Sequence, residues 1–165
     1  MKIRADDYFL KVEDITQDYL AAHNVRGIIL DIDNTIMIDG ETQMTASVSA
    51  WFSCIGLPVC LLSNGKECRV KMIADALGLR YISRAKKPFK GGYIKGAALL
   101  GIADIKNIAV IGDQMLSDIW GGKRAGCYTI KVEPIDPTAD PITVKVKRGL
   151  EKWVTKESVY HNIKK

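Results

Sequence analysis

Between residues 25 and 132 short apolar runs alternate with amphipathic stretches of helical length, and no other feature of the chain constrains its fold as strongly. "VRGIILDI", "VCLLSN", "RYIS", "NIAVIGD" and "CYTIKV" read as strands, and the first two have the continuous, partly β-branched character of strands buried on both faces. "TASVSAWFSCIG", "KECRVKMIADALGL", "GYIKGAALLGI" and "SDIWGGKRAG" read as the intervening helices. Val70, Ile73, Ala74 and Leu77 fall at helical spacing, with Gly78 as a stop; Gly56 and Pro58 end the preceding helix. Strands alternating with helices of this length make a parallel sheet with right-handed crossovers and helices on both faces. The expected class is α/β, with a doubly wound, Rossmann-like parallel sheet.

At 165 residues the chain suits one domain, 1–165, with a core over about 25–132. After the proline-punctuated "EPIDPTADP" a C-terminal helical extension is expected over about 142–160, carrying Val146, Leu150, Trp153 and Val154. The longest apolar run, "IGLPVCLL", is too short to span a bilayer, and the acidic pair near the N-terminus occupies the place of a signal peptide's apolar region. A cytoplasmic location is therefore expected. Cys54, Cys60, Cys68 and Cys127 match no zinc-ligand spacing and read as reduced, structural thiols.

In doubly wound sheets ligands bind beyond the carboxyl ends of the strands. Four of the strand ends here are polar: "DIDNT", "SN", "KKP" and "GDQMLSD". Residues two apart on a strand share a face, so Asp31 and Asp33 are expected to project together, and their repulsion calls for a cation. Asp113 and Asp118 add carboxylates at a neighbouring strand end. Oxygen ligands without a nearby histidine favour Mg2+, which commonly shares its site with a phosphate. Ser63 and Asn64 would offer a hydroxyl and an amide to phosphate oxygens, and Lys86 or Lys87 a fixed positive charge. Asp31 is the expected nucleophile, forming an aspartyl-phosphate, and Asp33 the group that protonates the departing oxygen and then activates water. Asn34 and Thr35 turn the chain away from this space, with Thr35 facing substrate. Taken alone, "DIDNT" also reads as a capping or turn cluster.

Together these motifs resemble the haloacid dehalogenase superfamily of phosphohydrolases: "DIDNT" its DxDxT loop, "LLSN" its serine or threonine strand end, "KKP" its lysine motif and "GDQMLSD" its acidic metal motif. The resemblance implies Asp31 as nucleophile and metal ligand, Asp33 as acid/base and ligand through its carbonyl, Asp113 as the third ligand and Asp118 as a supporting carboxylate. It assigns Ser63 and the lysine to the phosphoryl group, with Lys87, directly before Pro88, the better match. "ISRAKKP", "GDQMLSDIWGGKRAGCYTIKV" and "DPITVKVKRGLEKWV" add a narrower resemblance to the YqeG-type, subclass IIIA phosphatases, related to phosphatidylglycerophosphate phosphatases. Met115 and Ser117 stand where such motifs often carry leucine and threonine; neither change removes a ligand.

Thr35 to Ser63 has room for one helix and Asn64 to Lys86 for another, so a capless enzyme is expected. An open site suits a bulky substrate, including a phospholipid headgroup at the inner face of the membrane, or a site completed by another copy in a homo-oligomer. The net charge of +5 is weighted to the C-terminal segment, where Lys145, Lys147, Arg148, Lys152 and Trp153 could meet anionic lipid or simply form a solvated helix face. Nucleic acid is not an expected partner of the phosphatase. Competing readings are a phosphatase of soluble metabolites, a receiver-like domain, which would place its acceptor after a mid-chain strand, and a binding module for protein or RNA.

Overall fold

The computed structural model describes residues 3–138, 140, 145, 146, 149, 163 and 164. Seven strands form one sheet: β1 (Asp7–Phe9), β2 (Gly27–Leu30), β3 (Val59–Leu62), β4 (Arg80–Ile82), β5 (Ile108–Gly112), β6 (Tyr128–Val132) and β7 (Ile163–Lys164). Their spatial order is β4-β3-β2-β5-β6-β1-β7, and every pairing is parallel. Connecting helices are α1 (Gln17–Ala22), α2 (Ala46–Cys54), α3 (Glu67–Leu77), α4 (Lys90–Leu100) and α5 (Trp120–Ala125). The doubly wound α/β expectation is met. Chain direction across the sheet reverses between β2 and β5, the neighbours that create a crevice at their carboxyl ends.

Strand alternation supplies two apolar layers. Ile28, Leu30, Val59, Leu61, Ala109 and Ile111 pack with Leu20 of α1, Val48 and Trp51 of α2, and Val70, Ile73 and Ala74 of α3. Ile29, Leu62, Ile108 and Val110 point the other way, onto Tyr93 and Ala97 of α4. A strand buried on both faces has no polar side to present, which explains its unbroken apolar sequence. Each fully buried Ile or Leu contributes roughly 1.5–3 kcal/mol, so these paired layers hold the central strand ends in fixed register.

Local signals set the helix limits. Thr45 accepts a hydrogen bond from Val48 N and starts α2. Gly78, at φ 64°, adopts the left-handed conformation that ends α3, as its place after Leu77 predicts. Between Thr35 and Ser63 lie α2 and β3, and between Asn64 and Lys86 lie α3 and β4, with no additional domain among these residues.

The sheet also recruits segments outside the alternating region. β1 pairs with β6 on one side and with β7 on the other. β1 is only three residues long, and neither its length nor its polar first residue stands out in the sequence. Of the expected C-terminal extension, Lys145, Val146 and Gly149 are helical. Lys147, Arg148, Leu150, Lys152, Trp153 and Val154 lie outside the described residues.

Candidate active site

β2 ends at Leu30, and the chain turns at once. Ile32 O accepts from Thr35 N, Ile36 N and Met37 N, so strand periodicity stops before Asp33. Asp31 and Asp33 consequently do not project together. Asp31 is buried among carboxylates, whereas Asp33 turns towards α3, where Arg69 Nη2 lies 2.7 Å from its Oδ1. Arg69 also donates to Glu41 O at 2.7 Å. Asp33 Oδ1 and Arg69 Nε are buried without hydrogen-bond partners among the described residues, so charge rather than hydrogen-bond geometry holds the pair.

Asn34 supports this turn from within. Its φ of 59° is a left-handed conformation that asparagine tolerates better than most residues. Asn34 Oδ1 accepts from Asp136 N at 2.9 Å, its Nδ2 donates to Asp140 Oδ1 at 2.5 Å, and its carbonyl accepts from Ile135 N at 3.0 Å. One residue of the turn thereby anchors the loop that follows β6.

Asp113 follows β5, and its carboxylate is fully buried. Beyond it, residues Met115–Ile119 form a π-helical turn, with Trp120 N donating to Met115 O. Such wide turns recur at functional sites because they redirect side chains that a regular helix would carry past. Here the turn brings Asp118 back over the end of β5, where its Oδ2 accepts from Gln114 N at 3.0 Å. A Cβ on Gly112 would collide with the Asp118 carboxyl group. Glycine at the end of an otherwise apolar, β-branched strand is the sequence signal for that close approach.

Lys87 completes the arrangement. Its Nζ donates to Asp31 Oδ1 at 2.5 Å and to Asp118 Oδ1 at 2.6 Å, and the residue is only 8% exposed. Lys86 is exposed, so the lysine brought into the site is the one directly before Pro88. Asn64, expected to face phosphate, instead grips the Lys87 backbone: Oδ1 accepts from Lys87 N at 2.8 Å and Nδ2 donates to Lys87 O at 3.4 Å. Ser63 is buried at the end of β3, and its Oγ accepts from Gly65 N at 2.9 Å. Thr35 Oγ1 lies 3.5 Å from Asp31 Oδ2 and 3.4 Å from Asp113 Oδ1, between the two carboxylates.

Carboxylate oxygens of Asp31, Asp113 and Asp118 come within 4.8 Å of one another. Lys87 is shared by Asp31 and Asp118, and Asp113 lies in the same acidic cluster. Burial, and next the Asp118 carboxylate, push the Asp31 carboxyl well above the usual carboxylate range; Lys87 offsets part of this and Asp113 adds to it. Burial pulls the Lys87 ammonium down, but Asp118 and Asp31 outweigh it and hold it above the ordinary lysine value. Clustered carboxylate oxygens with no nitrogen or sulfur donor suit a hard divalent cation. The acidic cluster can therefore hold a metal ion.

Arg69 and Tyr93 belong to no motif. Tyr93 is fully buried on α4 and donates to Ser117 O at 2.5 Å, bracing the π-helical turn. Only contacts made across the fold reveal either residue.

Known proteins are similar to this chain in sequence and in fold. A family model described as HAD-hydrolase-like matches residues 84–134, the part holding the lysine and the acidic turn. Among solved structures, an uncharacterized protein from Listeria monocytogenes serotype 4b superposes with a TM-score of 0.51, covering 76% of this chain and 99% of that one, at 12% identity. That likeness shows the fold. The chain is 27% identical over 152 residues to "Phosphatidylglycerophosphate phosphatase 1, chloroplastic" of Chlamydomonas reinhardtii, across 83% of this chain and 55% of that longer protein. It is 32% identical over 152 residues to "Probable phosphatase YqeG" of Bacillus subtilis strain 168, across 90% of this chain and 87% of the relative. On that identity, sustained over nearly the full length of both sequences, the chain belongs to the haloacid dehalogenase superfamily and, within it, to the YqeG-type phosphatases.

Proposed function

We propose that the protein is a Mg2+-dependent phosphomonoester hydrolase that works through an aspartyl-phosphate on Asp31. The observation that carries this reading is the buried Lys87 held between Asp31 and Asp118 beside Asp113, an all-oxygen acidic cluster at the carboxyl ends of β2 and β5. Asp31, Asp113 and the backbone carbonyl of Asp33 are the proposed metal ligands, and Asp118 supports the site by fixing Lys87. When bound, the ion supplies positive charge to the phosphoryl oxygens and reduces their repulsion from Asp31.

Asp31 Oδ2, the oxygen Lys87 does not hold, attacks phosphorus in line while the bond to the leaving oxygen breaks. Asp33 delivers a proton to that oxygen as it departs. It then takes a proton from water, which attacks the aspartyl-phosphate, releasing inorganic phosphate and restoring the Asp31 carboxylate. Lys87 neutralises the transferring group, and the Ser63 hydroxyl donates to one of its oxygens. Asn64 acts by locking the Lys87 backbone, and Arg69 fixes the Asp33 carboxyl group.

The proposed substrate is phosphatidylglycerophosphate, yielding phosphatidylglycerol. Similarity to the algal phosphatase supports this reading, as does the surface beside Lys87, where Arg84, Lys86 and Lys90 are exposed around a Phe89 that is 65% exposed. Basic residues around a protruding aromatic suit the headgroup region of an anionic bilayer. No helix among the described residues is long and apolar enough to cross a membrane. The test is a panel with purified protein and Mg2+: phosphatidylglycerophosphate in mixed micelles, sugar phosphates, nucleotides and a phosphopeptide. Turnover must vanish in Asp31→Asn, and a preference for a soluble sugar phosphate would reject the lipid substrate while keeping the chemistry.

A further inference from the structure

The outward side of α4 differs from those of its neighbours. Exposed residues of α3 include Glu67, Lys71 and Asp75, of both signs, and those of α2 include the hydroxyls of Ser47, Ser49 and Ser53. A water-facing helix side is normally polar in this way. On α4 the exposed residues are Lys90, Gly91, Ile94, Lys95, Ala98 and Leu99, with neither an acid nor a hydroxyl among them. Ile94 is 53% exposed and Leu99 40%, and the exposed Phe89 stands at the start of the same helix. Past Ile94 this side opens on a shallow groove of about 410 Å³, whose lining of Ala98, Ile102, Ile105 and their neighbours contains no polar side chain.

Charge is equally one-sided. Residues 76–103 include Arg80, Arg84, Lys86, Lys87, Lys90 and Lys95 and no aspartate or glutamate, so this stretch alone is more positive than the +5 of the whole chain. We propose that α4 and the segment 84–90 form the surface by which the protein docks on an anionic phospholipid bilayer, with the helix lying in the plane of the interface. Lysines and arginines meet the headgroups while Phe89, Ile94 and Leu99 enter the boundary of the acyl chains, the division of labour of helices held at bilayer surfaces. A second copy of this chain would bring the same cations face to face, so like charge opposes self-association through this side. A protruding phenyl ring suits a fluid interface, which needs no preformed pocket to receive it.

Backbone bonds join this surface to the candidate active site. Ala85 N donates to Ser63 O at 3.0 Å, Arg84 N to Gly65 O at 3.2 Å and Phe89 N to Lys86 O at 2.9 Å, so the segment is fixed to the end of β3. Phe89 follows Lys87 by two residues, which limits the separation of their Cα atoms to about 7 Å. A bilayer that takes up Phe89 therefore meets the molecule beside Lys87. Docking turns that edge of the sheet towards the headgroup layer, where a lipid phosphomonoester is presented without leaving the membrane.

Docking rests on the phosphatase reading for its effect on turnover, whereas binding itself is measured without turnover. The full chain is sedimented in EDTA with vesicles of phosphatidylcholine, or of an equal mixture of phosphatidylcholine and phosphatidylglycerol. Wild type should partition onto the mixed vesicles only, and less as salt is added. Phe89→Ser and Ile94→Ser should each lower the partition coefficient about tenfold. Lys95→Gln should lower it about fivefold, the worth of one lysine near such a surface. With Mg2+ present, Ile94→Ser and Lys95→Gln should hydrolyse p-nitrophenyl phosphate within about twofold of wild type, while turnover of phosphatidylglycerophosphate in the mixed vesicles falls with binding. Equal affinity for both vesicle types, or variants that bind like wild type, would overturn the docking surface, as would a wild type that leaves the vesicles for single-stranded RNA. Loss of the phosphatase reading has a different signature: vesicle binding as expected, with no ester turned over or with turnover persisting in Asp31→Asn.

Discussion

Replacing Lys87 by methionine tests the electrostatics of the site most directly. Lys87 Nζ touches Asp31 at 2.5 Å and Asp118 at 2.6 Å, and Asp113 beside them is fully buried. The variant keeps the volume of the stem and removes the ammonium that Asp31 and Asp118 share. Removing one partner of a buried ion pair costs about 3–5 kcal/mol. Protonation of Asp31, whose carboxyl already sits well above the usual range, offers a partial escape and places the expected loss near the lower bound, about 3 kcal/mol at neutral pH. For a chain of this length that corresponds to a fall of about 6–12 °C in Tm. Urea or thermal unfolding in EDTA gives the number. Saturating Mg2+ should return a large part of it, about 2.7 kcal/mol at one hundred times its Kd. Adding Asp118→Asn should also recover stability, because it removes one of the orphaned charges. A Lys87→Met protein within about 0.5 kcal/mol of wild type at pH 7 to 8, without divalent ions, would refute the buried-pair reasoning, since that is the range of ordinary surface substitutions.

Asp31 itself carries a pH signature. Its folded pKa lies above the unfolded value of about 3.9, so its contribution to stability is complete below that value and is lost as pH rises through the folded pKa. In EDTA, Asp31→Asn should therefore gain stability relative to wild type as pH rises, and Mg2+ should shrink the difference; parallel unfolding curves across pH would contradict this. Gly112→Ala forces a methyl group into the Asp118 carboxyl, and overpacking of this kind should cost about 1–3 kcal/mol in urea melts, together with most of the turnover. Asn34→Ala should cost about 1–3 kcal/mol and expose the backbone amide of Asp136 to faster hydrogen exchange. Burial raises the Cys60 thiol to about 11 and the Cys127 thiol to about 12, whereas Cys54 and Cys68 are exposed. An aromatic disulfide reagent at pH 8 should consequently modify two thiols in the native protein and four after denaturation.

Much of this protein was legible in its sequence because two physical patterns are local. A strand buried on both faces must be continuously apolar, so β2, β3 and β5 stand out, and helices that cover such strands show a periodicity of their own. Polar residues at the end of an apolar run lie at the sheet's carboxyl edge wherever the strand goes, which places Asp31, Ser63 and Asp113 near one another before any coordinates are known. β1 escaped notice because three residues are too few for a period, and β7 because its partner is distant in the chain.

What tertiary structure alone decided concerns direction and pairing. Strand alternation predicts Asp31 and Asp33 on one face, but the strand stops at Leu30 and the turn sends Asp33 to Arg69, a residue 36 positions later in the sequence. The choice of Lys87 over Lys86 depends on which side chain the loop buries. Asp118 enters the carboxylate cluster only because a π-helical turn, accommodated by Gly112 and braced by Tyr93, folds back over β5. Composition and spacing determine which groups reach an edge of the sheet. Which of them touch is a matter of packing, because a few degrees of turn decide whether a carboxylate meets a lysine or an arginine.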